Sequence, residues 1–195
     1  MATTYDLETL KGPELNLEEW AELPEEVPGE IVEGRLVEEE VPEPPHELAI
    51  AYLAYVLGVW SDQVGALVFT SGLHIAVGAK HGRKPDLSVY FQGTRPSRNA
   101  LVTVPPDLAV EVLSPGPQNR RRDRIQKFAE YAAFGIRWYW LLDPEARTLD
   151  IYELSEKGEY EPRLQATSGS ALQVPGCPGL TLDLSKLWQK LDELA

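Results

Sequence analysis

Residues 108–113 read Leu-Ala-Val-Glu-Val-Leu, an apolar run with a single carboxylate in its middle. The run is short, rich in branched apolar side chains and followed by Ser-Pro, which predicts a buried strand over residues 107–113. Side chains alternate between the two faces of a strand, so Glu111 shares its face with Ala109 and Leu113. Because a buried, unpaired carboxylate is costly, we expect Glu111 to be paired with a cation, hydrogen bonded, protonated or bound to a metal ion.

Asp86 raises the same question, because it follows Pro85 at the head of a second apolar run, residues 86–91. Two interpretations are open. Asp86 and Glu111, at the ends of neighbouring strands, would hold a divalent ion through oxygen ligands. Alternatively, Asp86 caps a turn and Glu111 pairs with an arginine of the cluster at 120–124. Chemistry alone favours the second interpretation.

Helical and extended patterns alternate on both sides of these two strands. Helices are predicted from the capping box at Asn16 through Trp20, from Pro44-Pro45 with a stripe of Ala49, Tyr52, Leu53, Val56 and Trp60, over 123–134 with Ile125, Phe128, Ala129 and Ala132 buried, and over 185–194. Further extended segments are 30–37, 66–70, 73–77, 138–142 and 149–154. This order predicts an α/β protein with a mixed central β-sheet flanked by helices.

Length and composition favour a single domain over residues 1–195, since 195 residues bury one substantial core. Cys177 is the only cysteine and can form no internal disulfide. The sequence contains no apolar run near the roughly 18 residues that a membrane span needs. Its first residues lack a basic segment followed by an apolar one, so we expect a cytoplasmic protein without membrane contact.

The net charge of −13 is unevenly distributed along the chain. Residues 1–47 hold 15 acidic and 2 basic side chains, so this N-terminal region accounts for the whole net charge. Residues 80–127 hold 10 basic and 4 acidic side chains, a local charge of +6. The overall acidity therefore does not exclude a nucleic-acid partner.

Four motifs, in order, resemble the Uma-type family, a branch of the PD-(D/E)xK nuclease superfamily. They are Pro85-Asp86, then Glu111 to Pro115 starting 25 residues later, then Asp123 to Tyr131, and finally Gly135 to Pro144. The match extends to Glu33-Gly34-Arg35-Leu36 and to Pro45-His46, and it spans roughly residues 16 to 155. The resemblance implies the restriction-endonuclease-like fold, a mixed central sheet flanked by helices that carries its acidic cluster on adjacent strands.

The same resemblance implies a metal-dependent active site. Asp86, Glu111 and the main-chain carbonyl of Val112 would be ligands of Mg²⁺ or Mn²⁺. The superfamily motif normally continues Glu-x-Lys, but Leu113 stands where the lysine is expected. The family relocates this lysine to the following helix, which points to Lys127.

The helical pattern partly disagrees with this role for Lys127. On a helical wheel, Lys127 lies about 200° from Ile125, away from the predicted core stripe. A solvated lysine that pairs with Asp123, four residues earlier, is therefore an open alternative. Gln126 is the second candidate for the catalytic position.

Several neighbouring residues are candidates for accessory roles. His46, at a helix start, is either a structural hydrogen bonder or a catalytic residue, and Glu47 is a candidate to aid metal binding. Four arginines either bind nucleic-acid phosphates or lie exposed to solvent at the start of a helix: Arg120, Arg121, Arg122 and Arg124. The aromatic run at 138–140 belongs either to the core or to an interface.

Two functions follow from these observations. The first is a Mg²⁺-dependent endonuclease that hydrolyses phosphodiester bonds in DNA, for which a homodimer would allow both strands to be cut. The second is a catalytically inactive nuclease-fold module that binds nucleic acid or protein. The missing Glu-x-Lys lysine and the acidic region 1–47 favour the second function, whereas the ordered acids and the basic middle segment favour the first.

Overall fold

The computed structural model describes residues 12–24, 27–37, 42–70, 72–114 and 122–194, without the side chains of Arg122 and Asp123. Its helices are α1 (Leu17–Ala21), α2 (Pro44–Val64), a π-helical segment (Arg122–Lys127), α3 (Phe128–Phe134) and α4 (Leu184–Asp192). Its strands are β1 (Glu30–Val32), β2 (Arg35–Val37), β3 (Leu67–Thr70), β4 (His74–Gly78), β5 (His81–Arg83), β6 (Leu87–Tyr90), β7 (Leu101–Val102), β8 (Leu108–Val112), β9 (Trp138–Asp143), β10 (Thr148–Leu154), β11 (Tyr160–Ala166), β12 (Leu172–Gln173) and β13 (Thr181–Leu182).

The central sheet has the strand order β11-β10-β9-β8-β6-β3 within the described part of the chain. Strands β8 and β9 are parallel, and the other neighbours in this sheet are antiparallel. The sheet is therefore mixed, as predicted. The parallel pair β8 and β9 is fully buried along both strands, which agrees with their nearly continuous apolar sequences.

Alternation along β8 divides the core into two apolar clusters, one on each face of the central sheet. Val110 and Val112 pack on one side with residues of α2 and α4. Ala109 and Leu113 pack on the other side with residues of α3 and β4. The predicted flanking of the sheet by helices is confirmed, and Glu111 belongs to the face covered by α3.

A smaller sheet of order β2-β1-β5-β4-β7 is built from strands between residues 30 and 102. The β1–β2 hairpin turns through Glu33 and Gly34, both at positive φ, which matches the primed turns that join twisted strands. The indole N–H of Trp20 donates to the Gly29 carbonyl at 3.1 Å, and its ring covers Gly82 of β5. These contacts hold α1 against β5 and the residue before β1.

Helix ends follow the predicted signals. Asn16 and Glu19 form the predicted capping box of α1. Helix α2 begins at Pro44 and ends at Gly65, which adopts the left-handed conformation with φ of 70°. None of the helices in the described part of the chain combines the length and apolarity required of a membrane span.

One feature of the helix after β8 was predicted wrongly. Ile125, expected in the core, is 54% exposed, whereas Lys127 is only 2% exposed. Residues 122–127 form a π-helical segment, in which side chains are spaced differently from the 100° steps of the α-helical wheel. The buried face of the helix therefore includes Lys127 and Tyr131, and Ile125 turns outward.

Two smaller predictions have clear outcomes. The aromatic run at 138–140 lies in β9 and is buried, so it belongs to the core. Cys177 is buried as well, and burial raises the pKa of its thiol to about 12. The division of residues 1–195 into one domain stays a prediction.

Candidate functional site

Glu111 lies on β8, and both of its carboxylate oxygens are engaged. The ammonium of Lys127 donates to Oε2 at 2.9 Å, and the hydroxyl of Tyr131 donates to Oε1 at 2.6 Å. Glu111 is 3% exposed, so these contacts supply the compensation that a buried carboxylate needs. The expected pairing of Glu111 with an arginine of the 120–124 cluster stays a prediction, because only Arg124 of that cluster has a described side chain.

Asp86 lies at the same end of the central sheet as Glu111. It directly precedes β6, whose first residue, Leu87, pairs with Val110 of β8. An extension of this antiparallel register by one residue would set Asp86 opposite Glu111, on the same face of the sheet.

A backbone contact fixes the orientation of Asp86. Its Oδ2 accepts a hydrogen bond from the amide of Val112 at 2.7 Å. The N–H and C=O of one residue in an extended strand point to the same side, so the carbonyl of Val112 also faces β6 and Asp86. Three oxygen-bearing groups, the two carboxylates and this carbonyl, are thus grouped at the strand ends.

The first turn of α2 adds His46 to this group. The Nε2 of His46 lies 3.5 Å from Asp86 Oδ2, and its Nδ1 lies 3.3 Å from Oε1 of the more exposed Glu47. Burial lowers the pKa of His46, but the hydrogen bond and charge of Asp86, together with Glu47, outweigh it and raise the pKa above the ordinary value. When protonated, His46 stabilises the Asp86 carboxylate.

Lys127 and Tyr131 reach the site from one helical face, because they are four residues apart. Tyr131 is fully buried, and this burial, together with the charges of Glu111 and Glu30, holds the pKa of its hydroxyl well above the ordinary range. Tyr131 thus remains a neutral donor to Glu111. The alternative of a solvated Lys127 is wrong, since its side chain is 2% exposed.

Behind Lys127 lies a buried network of charged side chains. Lys127 Nζ is 3.4 Å from Oε1 of Glu30, and the Arg83 Nη1 donates to Oε2 of Glu30 at 2.8 Å. Arg83 also binds Glu130 through two hydrogen bonds of 2.6 and 2.9 Å. Three carboxylates and two cations are therefore packed between the two sheets and α3.

The arginine cluster is only partly described. Arg120 and Arg121 lie outside the described residues, and only the backbone of Arg122 is described. Arg124 is partly exposed and contacts Asp150 at 3.2 Å and Asp143 at 4.0 Å. Gln126, the second candidate for the catalytic position, is half-buried.

Comparison with known proteins gives this geometry a context. Residues 16–185 match the model of the Uma2 family, which carries the description "Putative restriction endonuclease". The chain belongs to the Uma2 family. This confirms the resemblance seen in the motifs from Pro85 to Pro144.

A solved structure shows the same fold. The crystal structure of a putative nuclease belonging to DUF820 from Anabaena variabilis ATCC 29413 superposes with a TM-score of 0.72 at 23% identity. The alignment covers 91% of this chain and 99% of the other. The comparison with curated proteins found no match. The fold of this Uma2 chain is therefore the restriction-endonuclease-like fold, a mixed sheet flanked by helices.

The donor set of this Uma2 site fits a hard divalent cation that keeps water ligands. Among the described residues, no three or more His, Cys, Asp or Glu side chains group in a way that could hold a metal ion. Mg²⁺, however, is commonly bound by one or two carboxylates together with waters and substrate phosphates. Asp86, Glu111 and the Val112 carbonyl match that smaller requirement, and no described contact occupies Oδ1 of Asp86.

Four site residues had no predicted role in the sequence: Glu30, Arg83, Glu130 and Tyr131. Glu130 and Tyr131 lie three and four residues after Lys127, so assigning Lys127 to the buried face would have brought both to the site. Glu30 and Arg83 are 53 positions apart and meet only through the β1–β5 pairing. No local pattern indicates that contact.

Proposed function

We propose that this Uma2 protein is a Mg²⁺-dependent endonuclease that hydrolyses phosphodiester bonds in DNA. One observation carries the proposal: Asp86 accepts a hydrogen bond from the amide of Val112, the residue after Glu111, and Lys127 donates to Glu111. Those are the residue types that PD-(D/E)xK nucleases use, brought to one end of one sheet. Family membership and the nuclease-like fold support the same reading.

Each side chain has a distinct role in the proposed reaction. Asp86, Glu111 and the Val112 carbonyl would hold Mg²⁺, which supplies Lewis-acid activation of a water and neutralises charge on the phosphate. Lys127 places a positive charge beside the reacting group, where it stabilises charge that develops in the transition state. Tyr131 holds Glu111 in place, and His46 steadies Asp86.

Lys127 takes over from the residue that would follow in the strand motif. Leu113 occupies the Glu-x-Lys lysine position and is 3% exposed in an apolar cluster. A lysine from the helix reaches the same carboxylate from above the sheet. The departure at Leu113 is therefore compatible with catalysis.

Plasmid cleavage tests the proposal. We expect Mg²⁺-dependent nicking by the wild type, and a fall to background for Asp86→Asn and for Glu111→Gln, because each removes a charged oxygen ligand. Asp107→Asn is a matched control. Asp107 precedes β8 and accepts a hydrogen bond from the amide of Phe91 at 2.7 Å, just as Asp86 does from Val112 at the other end of the same strand pair. Equal cleavage by all four proteins would refute the site.

DNA contact through the arginines has its own test. Arg124 is the described member of the cluster, and its partly exposed guanidinium would contact phosphates together with the preceding arginines. Arg124→Gln should weaken DNA binding uniformly across sequences and reduce its salt dependence. An unchanged salt dependence would assign Arg124 to the Asp143 and Asp150 contacts alone.

A second candidate function is an inactive module that binds nucleic acid or protein. It is favoured by the engagement of both Glu111 oxygens and by the absence of a three-residue metal cluster among the described residues. Calorimetric titration with Mn²⁺ separates the two candidates. The nuclease predicts a binding event that Glu111→Gln removes, and the inactive module predicts none. A cytoplasmic location and a homodimer stay predictions.

A further inference from the structure

Lys127 lies between two carboxylates from different parts of the chain. Glu111 on β8 accepts its hydrogen bond at 2.9 Å, and Glu30 on β1 lies 3.4 Å from the same nitrogen. Glu30 is 1% exposed and Lys127 is 2% exposed. A charged side chain this deeply buried needs charged or hydrogen-bonding partners, so Glu30 is an electrostatic partner of Lys127.

Glu30 is itself held at both of its oxygens. Oε2 accepts from Arg83 Nη1 at 2.8 Å, and Oε1, the oxygen that faces Lys127, accepts from the amide of Lys84 at 2.9 Å. Rotation of the carboxylate would break at least one of these bonds. Glu30 therefore presents a fixed negative charge to the ammonium.

The network then returns to the helix that carries Lys127. Arg83 is fully buried and binds Glu130 through two hydrogen bonds, and Glu130 follows Lys127 by three residues on α3 and its π-helical extension. Residues of the smaller sheet thus contact the helix at two points. Glu30 contacts Lys127 directly, and Arg83, which binds Glu30, contacts Glu130.

We propose that Glu30 is a positioning residue for Lys127. This inference rests on the proposed nuclease function, in which Glu111 must serve a metal ion as well as Lys127. A lysine held by Glu111 alone would lose its anchor whenever Glu111 turned to the metal. Glu30 supplies a second, fixed anion that keeps the ammonium at the site, and it takes over the alignment that a strand lysine at Leu113 would receive from the backbone.

Glu30→Gln tests the role, because it keeps the shape and one acceptor oxygen but removes the charge. We expect kcat to fall about 10- to 100-fold through misplacement of Lys127. KM should change by less than about threefold, because Glu30 does not touch substrate. Glu30→Asp, which retains the charge on a shorter side chain, should recover part of the loss.

Glu153→Gln is the matched control outside this network. Glu153 on β10 accepts from Arg137 at 3.0 Å and from Arg163 at 2.9 Å, so its substitution removes a carboxylate from an arginine pair that does not contact Lys127. We expect its kcat to stay within about threefold of the wild type. An equal loss of kcat in Glu30→Gln and Glu153→Gln would overturn the proposal, because the effect would then not depend on the contact with Lys127.

A readout without catalysis separates this inference from the nuclease proposal. In the metal-free protein, the ¹⁵N resonance of the Lys127 ammonium, assigned through Lys127→Met, should shift in Glu30→Gln and much less in Glu153→Gln. Should Glu30→Gln not fold, Glu30→Asp carries the same measurement. An unshifted resonance refutes the contact whether or not the protein cleaves DNA. Absence of cleavage by the wild type refutes the nuclease instead.

Discussion

Lys127→Met is the substitution whose effect the structure specifies best. The buried network holds three carboxylates, Glu30, Glu111 and Glu130, and two cations, Arg83 and Lys127. Methionine fills similar space but leaves Glu111 and Glu30 without the ammonium between them. The substitution removes one positive charge from the network.

The expected cost is large for a single substitution. Removal of one partner from a buried ion pair destabilises proteins by about 3 to 5 kcal/mol. For a chain of 195 residues this corresponds to a fall in Tm of about 6 to 20 °C. Lys186→Met, on the exposed face of α4, should stay within about 0.5 kcal/mol of the wild type.

A double-mutant cycle with Glu111→Gln tests the pairing itself. Urea unfolding of the wild type, both single variants and the double variant gives the coupling free energy between the two side chains. We expect about 1 to 3 kcal/mol, since the double variant removes one positive and one negative charge together. A coupling near zero, or a Lys127→Met protein as stable as the wild type, would show that Lys127 is not buried against Glu111.

Two other predictions test the surroundings of the site. His46 has a folded-state pKa raised above its ordinary value of 6.5, so its stabilising contribution is complete below that pH and is lost as pH rises through the folded pKa. In EDTA, the Tm difference between the wild type and His46→Gln should therefore shrink from about pH 5.5 to 8.5, and a difference that grows would contradict this assignment. Gly82→Ala should destabilise by about 1 to 3 kcal/mol, because the new Cβ would lie 2.3 Å from the buried Trp20 ring. Thermal unfolding checks it against Gly58→Ala, where a Cβ would meet open space and a helix would gain propensity.

The strand that contains Glu111 was predictable, and so was the sheet face on which Glu111 lies, because both depend on the local alternation of side chains. The residue pattern of β8 alone placed Glu111 with Ala109 and Leu113, and the fold agrees. Strand β9 was equally clear, since a continuous apolar run indicates burial on both faces. Helix α2 also followed local rules, since it begins at the predicted prolines.

The orientation of Lys127 was not predictable from its helix alone. A helical wheel treats polarity as exposure, which fails when a charged side chain meets buried partners. Two partners of Lys127, Glu30 and Glu111, come from distant strands. Strand β5 was missed for a related reason, because His-Gly-Arg has no apolar pattern and Arg83 is buried only through its two carboxylate partners.

The family resemblance supplied what residue chemistry left open. Chemistry alone favoured structural roles for Asp86 and Glu111, and the resemblance favoured a metal site with a relocated lysine. The structure binds Asp86 to the amide of Val112, the residue after Glu111, and brings Lys127 to Glu111. Tyr131 adds a neutral donor to the same carboxylate, a contact that neither line of reasoning included.

Crystals soaked in Mn²⁺ test whether Asp86 and Glu111 bind one metal ion, because anomalous scattering locates the ion without reference to activity. We expect one peak near the ends of β6 and β8, within about 2.0–2.6 Å of an oxygen of Asp86 and an oxygen of Glu111. We also expect this peak to vanish in Glu111→Gln. A soaked crystal with Mn²⁺ bound only elsewhere, and with Asp86 and Glu111 unchanged, would contradict the metal site on which the nuclease proposal rests.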